Sequence, residues 1–192
     1  MSHFMAYLSR MRYINRWGLM RNVHQENIQE HTLQVAFLAH NLAIVKNRLF
    51  GGNVDPQKVA TFALYHDISE IMTGDLASPI KYFNPEIKKA FHNVEHYAKE
   101  RLWNLLPPEL RNDYHDMIFV EQTDPESLRL IKIADKLSAY IKCLEEIAAG
   151  NNEFTEAEKM IRAELNKYSC AELDYFMEIF IPSFKLTLDE MN

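Results

Sequence analysis

Helical periodicity, cut into lengths by caps, prolines and glycines, constrains this chain more tightly than any other feature. Asn27 followed three residues later by Glu30 has the pattern of a capping box, and it opens a helix that runs to about Phe50, where Gly51-Gly52 stops it. Asp55-Pro56 sets a cap residue before a first-turn proline and predicts a helix through Val59, Phe62, Ala63 and Tyr65 that ends near Asp67 or a few residues later. Asn84-Pro85 begins another, reaching Leu106 before Pro107-Pro108, and a shorter segment follows around Leu110 to Ile118. Asp124-Pro125 restarts the pattern, and Leu128 to Ala149 forms a long apolar-rich helix closed by Gly150. At the chain ends, Ser2 can cap a first helix that carries Phe4, Leu8 and Met11 and stops near Ile14, while Glu153 to Tyr168 and Ala171 to Phe180 supply the last two. The 5 glycines and 7 prolines cluster at these breaks, and neither strand-like alternation nor an internal repeat or linker is visible between them. The expectation is an all-α helical bundle, one domain over residues 1–192.

Of the 192 residues 47% are apolar, enough for a sizeable core. Lysine plus arginine number 21 against 27 for aspartate plus glutamate, and the resulting charge of −6, with a pI near 5.8, argues against a long electrostatic footprint on duplex nucleic acid. No apolar run approaches the ~18 residues of a membrane span. The richest, Leu33 to Val45, is interrupted by Gln34, His40 and Asn41 and is expected to be a buried helix. The first residues lack a basic region followed by a long apolar stretch and a small-residue cleavage site, so a cytoplasmic protein is expected. Cys143 and Cys170 stand in apolar helical surroundings without metal-type spacing and read as reduced thiols in ordinary core packing.

Polar groups placed where helix packing asks for apolar ones are the candidates for chemistry. His66-Asp67 directly follows Phe62-Ala63-Leu64-Tyr65, and Asp135 lies inside Leu130-Ile131-Lys132-Ile133-Ala134-Asp135-Lys136-Leu137. A carboxylate buried at either place needs a cation, a donor cluster or a metal. With His31, in the first turns of the helix opened by Asn27, these residues offer two imidazole nitrogens and two carboxylate oxygens from three helices. That set suits one divalent transition metal such as manganese, cobalt, iron, nickel or zinc better than magnesium or calcium. Adjacent helical residues point about 100° apart, so His66 and Asp67 can share an ion only at a helix end or in a distorted turn. Taken alone, a His-Asp pair is more often a surface or satisfied core pair than a metal site. His115-Asp116, among Arg111, Asn112 and Asp113, and the spaced pair His92 and His96, among Lys88, Lys89, Glu95 and Lys99, read as such solvated groups.

The order His31, His66-Asp67, Asp135 resembles the HD-domain metal-dependent phosphohydrolases, an α-helical superfamily. Beyond that tetrad, Ile14-Asn15-Arg16-Trp17, His66-Asp67-Ile68-Ser69-Glu70, Thr73-Gly74-Asp75-Leu76, Tyr140-Ile141-Lys142-Cys143-Leu144-Glu145-Glu146 and Asp174-Tyr175-Phe176-Met177-Glu178-Ile179-Phe180 are similar to the bacterial YfbR-like HD-domain 5'-deoxynucleotidase family, over nearly the whole chain. The resemblance implies hydrolysis of deoxyribonucleoside 5'-monophosphates by a homodimer with a divalent transition metal, cobalt, manganese or similar, held by His31, His66, Asp67 and Asp135. It implies that Arg16 orients the phosphate and that Trp17 crowds the sugar against a 2'-hydroxyl. Glu70, four residues after His66 and three after Asp67, falls on their side if the helix continues, where it can orient or deprotonate the attacking water. Asp75, Leu76, Ala77 and Ser78 correspond to a loop that contacts substrate, with His31, Asp67 and Asp135 also facing it. A member of that family has proline and threonine where this chain has Ala77 and Ser78, so the hydroxyl is kept and one rigid position is lost.

Two other readings stay open on the sequence. Another HD phosphohydrolase activity, on nucleoside triphosphates or cyclic dinucleotides, could use the same tetrad. A triphosphate needs several extra basic residues, and only Arg16, Arg21 and Lys81 lie near the loops. A non-enzymatic helical interaction protein could hold the tetrad as a structural polar cluster.

Overall fold

Side-chain caps start the long helices where the sequence places them. In the computed structural model, which describes residues 1–81 and 83–191 except for the side chains of Ser78 and Pro79, Asn27 Oδ1 accepts from the N–H groups of Gln29 and Glu30, both at 3.0 Å. Glu30 Oε2 returns a bond to the Asn27 N–H at 3.1 Å, completing the capping box of helix α2, Ile28–Leu49. Asp55 caps α3, Pro56–Ala63; Asn84 caps α6, Pro85–Asn104; Asp124 caps α9, Pro125–Ala148; each has proline in its first turn. The remaining helices are α1, Phe4–Leu8; α4, Glu70–Thr73; α5, Ser78–Lys81; α7, Arg111–Ile118; α8, Val120–Thr123; α10, Thr155–Leu165; and α11, Ala171–Ile179. Among the described residues there is no strand, only one isolated antiparallel bridge between Asn15 and Asn27. Also among them, no helix is long and apolar enough to cross a membrane.

The centre of the molecule is α2 packed on α3 and α9, with α11 against α2 and α10 against α9. Val35, Leu42, Val59, Ile133 and Leu137 are fully buried there, each contributing about 1.5–3 kcal/mol by leaving water. A second cluster, Phe4, Ile68, Leu102, Leu106, Ile118 and Phe119, holds α1 and the segment after α3 against α6 and α7. Cys143 and Cys170 are buried and unpaired, in agreement with core packing.

Four local expectations need correction. Helix α3 stops at Ala63, before His66-Asp67, because the amides from Tyr65 onward bond three residues back in a tightened turn. Helix α1 ends at Leu8, and a 3₁₀ stretch, Ser9–Tyr13, carries the chain to Ile14. His3 occupies the cap position, while Ser2 Oγ accepts from the Phe4 N–H at 3.4 Å and its hydroxyl donates to the Leu105 carbonyl at 2.7 Å, so Ser2 still ties down the helix start. The Leu33 to Val45 stretch is not buried all round: Leu33, Phe37 and Ile44 are exposed on α2 while Val35, Leu38, Ala39 and Leu42 face the core, an amphipathic arrangement. Asp135 projects from the rim of α9, with its side chain 42% exposed rather than sunk in the core.

Candidate active site

The tightened turn after α3 does what a regular helix cannot. With Ile68 anchored in the second cluster, the chain bonds His66 N–H to Ala63 O and Glu70 N–H to Asp67 O, so the neighbouring side chains of His66 and Asp67 converge. His66 Nε2 stands 3.1 Å from Asp67 Oδ2. From the first turn of α2, the wholly buried His31 brings its Nε2 to 3.5 Å from that same oxygen. One donor atom from each of His31, His66 and Asp67 lies within 4.8 Å of the others. Asp135 approaches the group at His31, its Oδ1 3.1 Å from His31 Nε2.

These residues fit a divalent cation. His66 Nδ1 lies 2.8 Å from the Ala63 carbonyl, which can only accept, so Nδ1 carries the proton and Nε2 keeps its lone pair for the cluster. His31 Nδ1 lies 3.1 Å from the Ser138 hydroxyl, which leaves its Nε2 turned the same way. Among the described residues both Nε2 atoms are buried without a hydrogen-bond partner. Donor atoms around one ion at about 2.1 Å sit roughly 3–4 Å from each other, close to the spacing here. Electrostatics agree: burial alone would raise Asp67, but His66, then His31 and Arg16, hold its carboxylate well below the usual range. Burial works against charging His66, and Asp67 and Asp135 outweigh it and raise its pKa. The partly buried Asp135 is lowered, against desolvation, mainly by its contact with His31.

A loop over residues 14–27 carries Arg16 and Trp17 to the cluster. Its two ends are tied by Arg16 N–H to Glu26 O and Ile28 N–H to Ile14 O, both 2.9 Å. Arg16 Nη1 stands 3.8 Å from Asp67 Oδ2, and burial of the guanidinium is outweighed by Asp135, Asp67 and Glu26, which raise its pKa. Trp17 has φ +58°, a conformation that costs a bulky residue about 1–3 kcal/mol and is held only where its surroundings enforce it. Across from it the Asp75 carboxylate faces the Trp17 N–H; burial raises the Asp75 pKa against the pull of Arg16. Glu146 of α9 fastens the far side of the loop, accepting from Val23 N–H at 2.8 Å, His24 N–H at 3.0 Å and Asn151 Nδ2 at 2.8 Å beside Lys142.

Glu70 opens α4 and is buried, with Oε2 unpartnered. Burial, then the charges of Asp67 and Asp75, push its carboxyl up to about 9. Leu76 and Ala77 follow Asp75 in the half-buried loop before α5. Ser78 begins α5, and its side chain lies outside the described ones. Of the other basic residues near the loops, Arg21 pairs with Glu153 at 2.6 Å and Lys81 with Glu95 at 2.7 Å, so Arg16 is the one that reaches Asp67. His92, His96 and His115 make exposed pairs with Glu95, Glu100 and Asp116, away from the cluster.

Three residues escaped the sequence reading. Glu146 gives the same signal as Asp135, an acid inside an apolar helix, and could have been singled out by it. Ser138 is too common in helices to stand out, and Glu26 sits in the polar run His24-Gln25-Glu26-Asn27, where nothing marks one acid over another.

The fold defines the class. An HD-domain phosphohydrolase of Listeria innocua superposes with TM-score 0.83 at 23% identity, covering 95% of this chain and 88% of that one. The cyanophage S-2L HD phosphohydrolase DatZ, solved with dA and one catalytic Zn2+, does so with TM-score 0.67 at 21% identity over 95% of this chain and 96% of its own. This is therefore the fold of HD-domain phosphohydrolases. More specifically, residues 3–184 match the family described as 5'-deoxynucleotidase YfbR-like, and the chain belongs to that family. The 5'-deoxynucleotidase of Vibrio cholerae serotype O1 is 50% identical over 191 residues, 100% of this chain and 98% of the relative. The 5'-deoxynucleotidase YfbR of Escherichia coli K12 is 52% identical over 191 residues, 100% of this chain and 96% of the relative.

Proposed function

We propose that this protein is a metal-dependent 5'-deoxynucleotidase, converting deoxyribonucleoside 5'-monophosphates and water to deoxyribonucleosides and phosphate. The observation that carries the reading is the meeting of His31, His66 and Asp67 beside the guanidinium of Arg16 in a chain about half identical to proteins of that name. In this reading His31, His66, Asp67 and Asp135 hold a transition metal such as cobalt or manganese, which when bound supplies a Lewis acid for a phosphate oxygen and lowers the pKa of bound water. Arg16 grips the phosphate with its planar fork, the more valuable in a chain of net charge −6 that repels anions. Glu70 orients the attacking water and takes its proton. Its high pKa comes from burial beside two other carboxylates, and positive charge in the cluster acts in the opposite sense, readying it as a base. Water oxygen joins phosphorus, the bond to the 5'-oxygen breaks, and that oxygen leaves as a hydroxyl with the proton that water gave up, passed on from Glu70 directly or through solvent. Trp17 screens the sugar, with Asp75, Leu76, Ala77 and Ser78 completing the pocket and Asp75 able to accept from a sugar hydroxyl.

The scarcity of cations favours a monophosphate over a triphosphate, since Arg21 and Lys81 face acids of their own. We further propose one HD domain over 1–192 and a cytoplasmic location, and a homodimer supported by Leu33 and Phe37 left exposed on α2. The deciding experiment is phosphate release by metal-stripped protein resupplied with manganese, cobalt, zinc or magnesium, from matched ribo- and deoxyribonucleoside 5'-monophosphates. Release from the deoxy series with a transition metal, cut about 10²-fold or more by Glu70→Ala at unchanged metal content, is expected. Pyrophosphate or triphosphate release with monophosphates untouched would overturn the reading.

A further inference from the structure

Arg16 and Trp17 are neighbours in sequence, yet what holds them together in space is a third residue. We propose that Glu26 is a positioning residue that sets both the grip on the phosphate and the screen against the ribose 2'-hydroxyl; the inference rests on the roles of Arg16 and Trp17 proposed above. One carboxylate oxygen, Glu26 Oε2, accepts from Arg16 Nε at 3.0 Å and from Trp17 Nε1 at 3.1 Å. The side chain is largely sheltered, at 15% exposure, and Oε1 faces His31 Nδ1 from 4.0 Å.

Each bond removes a specific freedom. Donation through Nε fixes the plane of the guanidinium, and among the described residues neither Nη nitrogen donates a hydrogen bond, so the fork stays open for an anion beside Asp67. The indole is already set by the backbone: φ at Trp17 is +58°, its carbonyl accepts from Met20 N–H at 2.9 Å and Asn22 Nδ2 at 3.3 Å, and its ring leans on Phe154 at 5.3 Å between centroids. What these contacts leave is rotation of the ring about its side-chain bonds. The bond from Nε1 to Glu26 removes it. Glu26 is itself registered to this segment, since its carbonyl accepts the Arg16 N–H and the Asn15–Asn27 bridge lies directly alongside. Because both bonds end on one oxygen, phosphate grip and sugar screen are fixed relative to each other, which a discriminating site requires.

The test compares Glu26→Ala, Glu26→Gln and Trp17→Ala in the metal-loaded full chain, with kcat and KM for a matched deoxyribo- and ribonucleoside 5'-monophosphate, bound metal and Tm for each. Glu26→Ala is expected to cut the deoxy-over-ribo ratio of kcat/KM by about tenfold and to raise KM for the deoxy substrate, with metal content unchanged. Glu26→Gln retains an acceptor oxygen of the same shape and should restore most of the ratio. A merely structural role would lower Tm and the active fraction, and the ratio does not depend on either. An unchanged ratio in Glu26→Ala, with Trp17→Ala shifting it, overturns the role of Glu26 and leaves the screen in place. An unchanged ratio in Trp17→Ala overturns the screen itself, and the inference falls with it. Should Glu26→Ala fail to fold, Glu26→Asp, which draws the oxygen back by one methylene, is read by the same ratio.

Discussion

The candidate site has two halves built in different ways. His31 and Asp135 stand on α2 and α9, whose other faces make the main core, and His66 and Asp67 on the turn after α3, anchored by Ile68 in the second cluster. Arg16, Trp17 and Asp75 stand on connecting segments with little apolar burial of their own, and acids hold the first of these: Glu26 from within the loop and Glu146 from α9. Ligands for a small ion tolerate little displacement, and packed helices supply that rigidity. A group that closes on a substrate needs a fixed aim but a segment that can yield, and a few strong hydrogen bonds give it that.

The contrast can be broken from either side. The largest effect is expected for His66→Ala, which removes a ligand-type nitrogen without emptying the core. Losing several kcal/mol of charge stabilisation corresponds to a fall in turnover of roughly 10³-fold or more, with metal content falling alongside, both checked on the folded variant. Glu146→Gln attacks the other half. It leaves Lys142 beside a neutral group in a buried site and should cost about 3 kcal/mol in denaturant unfolding. Burial works against ionising Glu146, but Lys142, the Val23 and His24 amides and Asn151 hold its pKa at about 2, against 4.5 for an ordinary glutamate. A carboxylate lowered on folding stabilises fully above its unfolded pKa. The protein should therefore lose that contribution as pH falls from about 4.5 toward 2, and Glu146→Gln should flatten that part of the stability curve. Ser138→Ala should do least, weakening metal affinity about tenfold by freeing the His31 ring, with turnover at saturating metal near that of the parent. Equal losses of metal from Glu146→Gln and His66→Ala would erase the distinction between the halves.

Much of this was legible beforehand because it is local. Capping at Asn27, Asp55, Asn84 and Asp124 depends on a side chain and amides two or three residues away, so the sequence located the helix starts. Helix α3 ends earlier than periodicity predicts, since the tightened turn at 64–69 depends on Ile68 seating in a cluster formed by α1, α6 and α7, which periodicity does not register. Leu33, Phe37 and Asp135 are more exposed than the pattern predicts for the same reason: a helix states which side is apolar, and its neighbours decide how much of that side is covered. Sequence alone determined the helical class, the helix starts and the polar residues that break an apolar pattern, all consequences of spacing along one chain. Tertiary structure alone decided that His31, His66 and Asp67 point at one place, that Asp135 reaches them beside His31, and that Glu26 joins Arg16 to Trp17. Those facts depend on how separate segments are oriented in space, and hydrogen-bond direction and burial are fixed only when the segments pack.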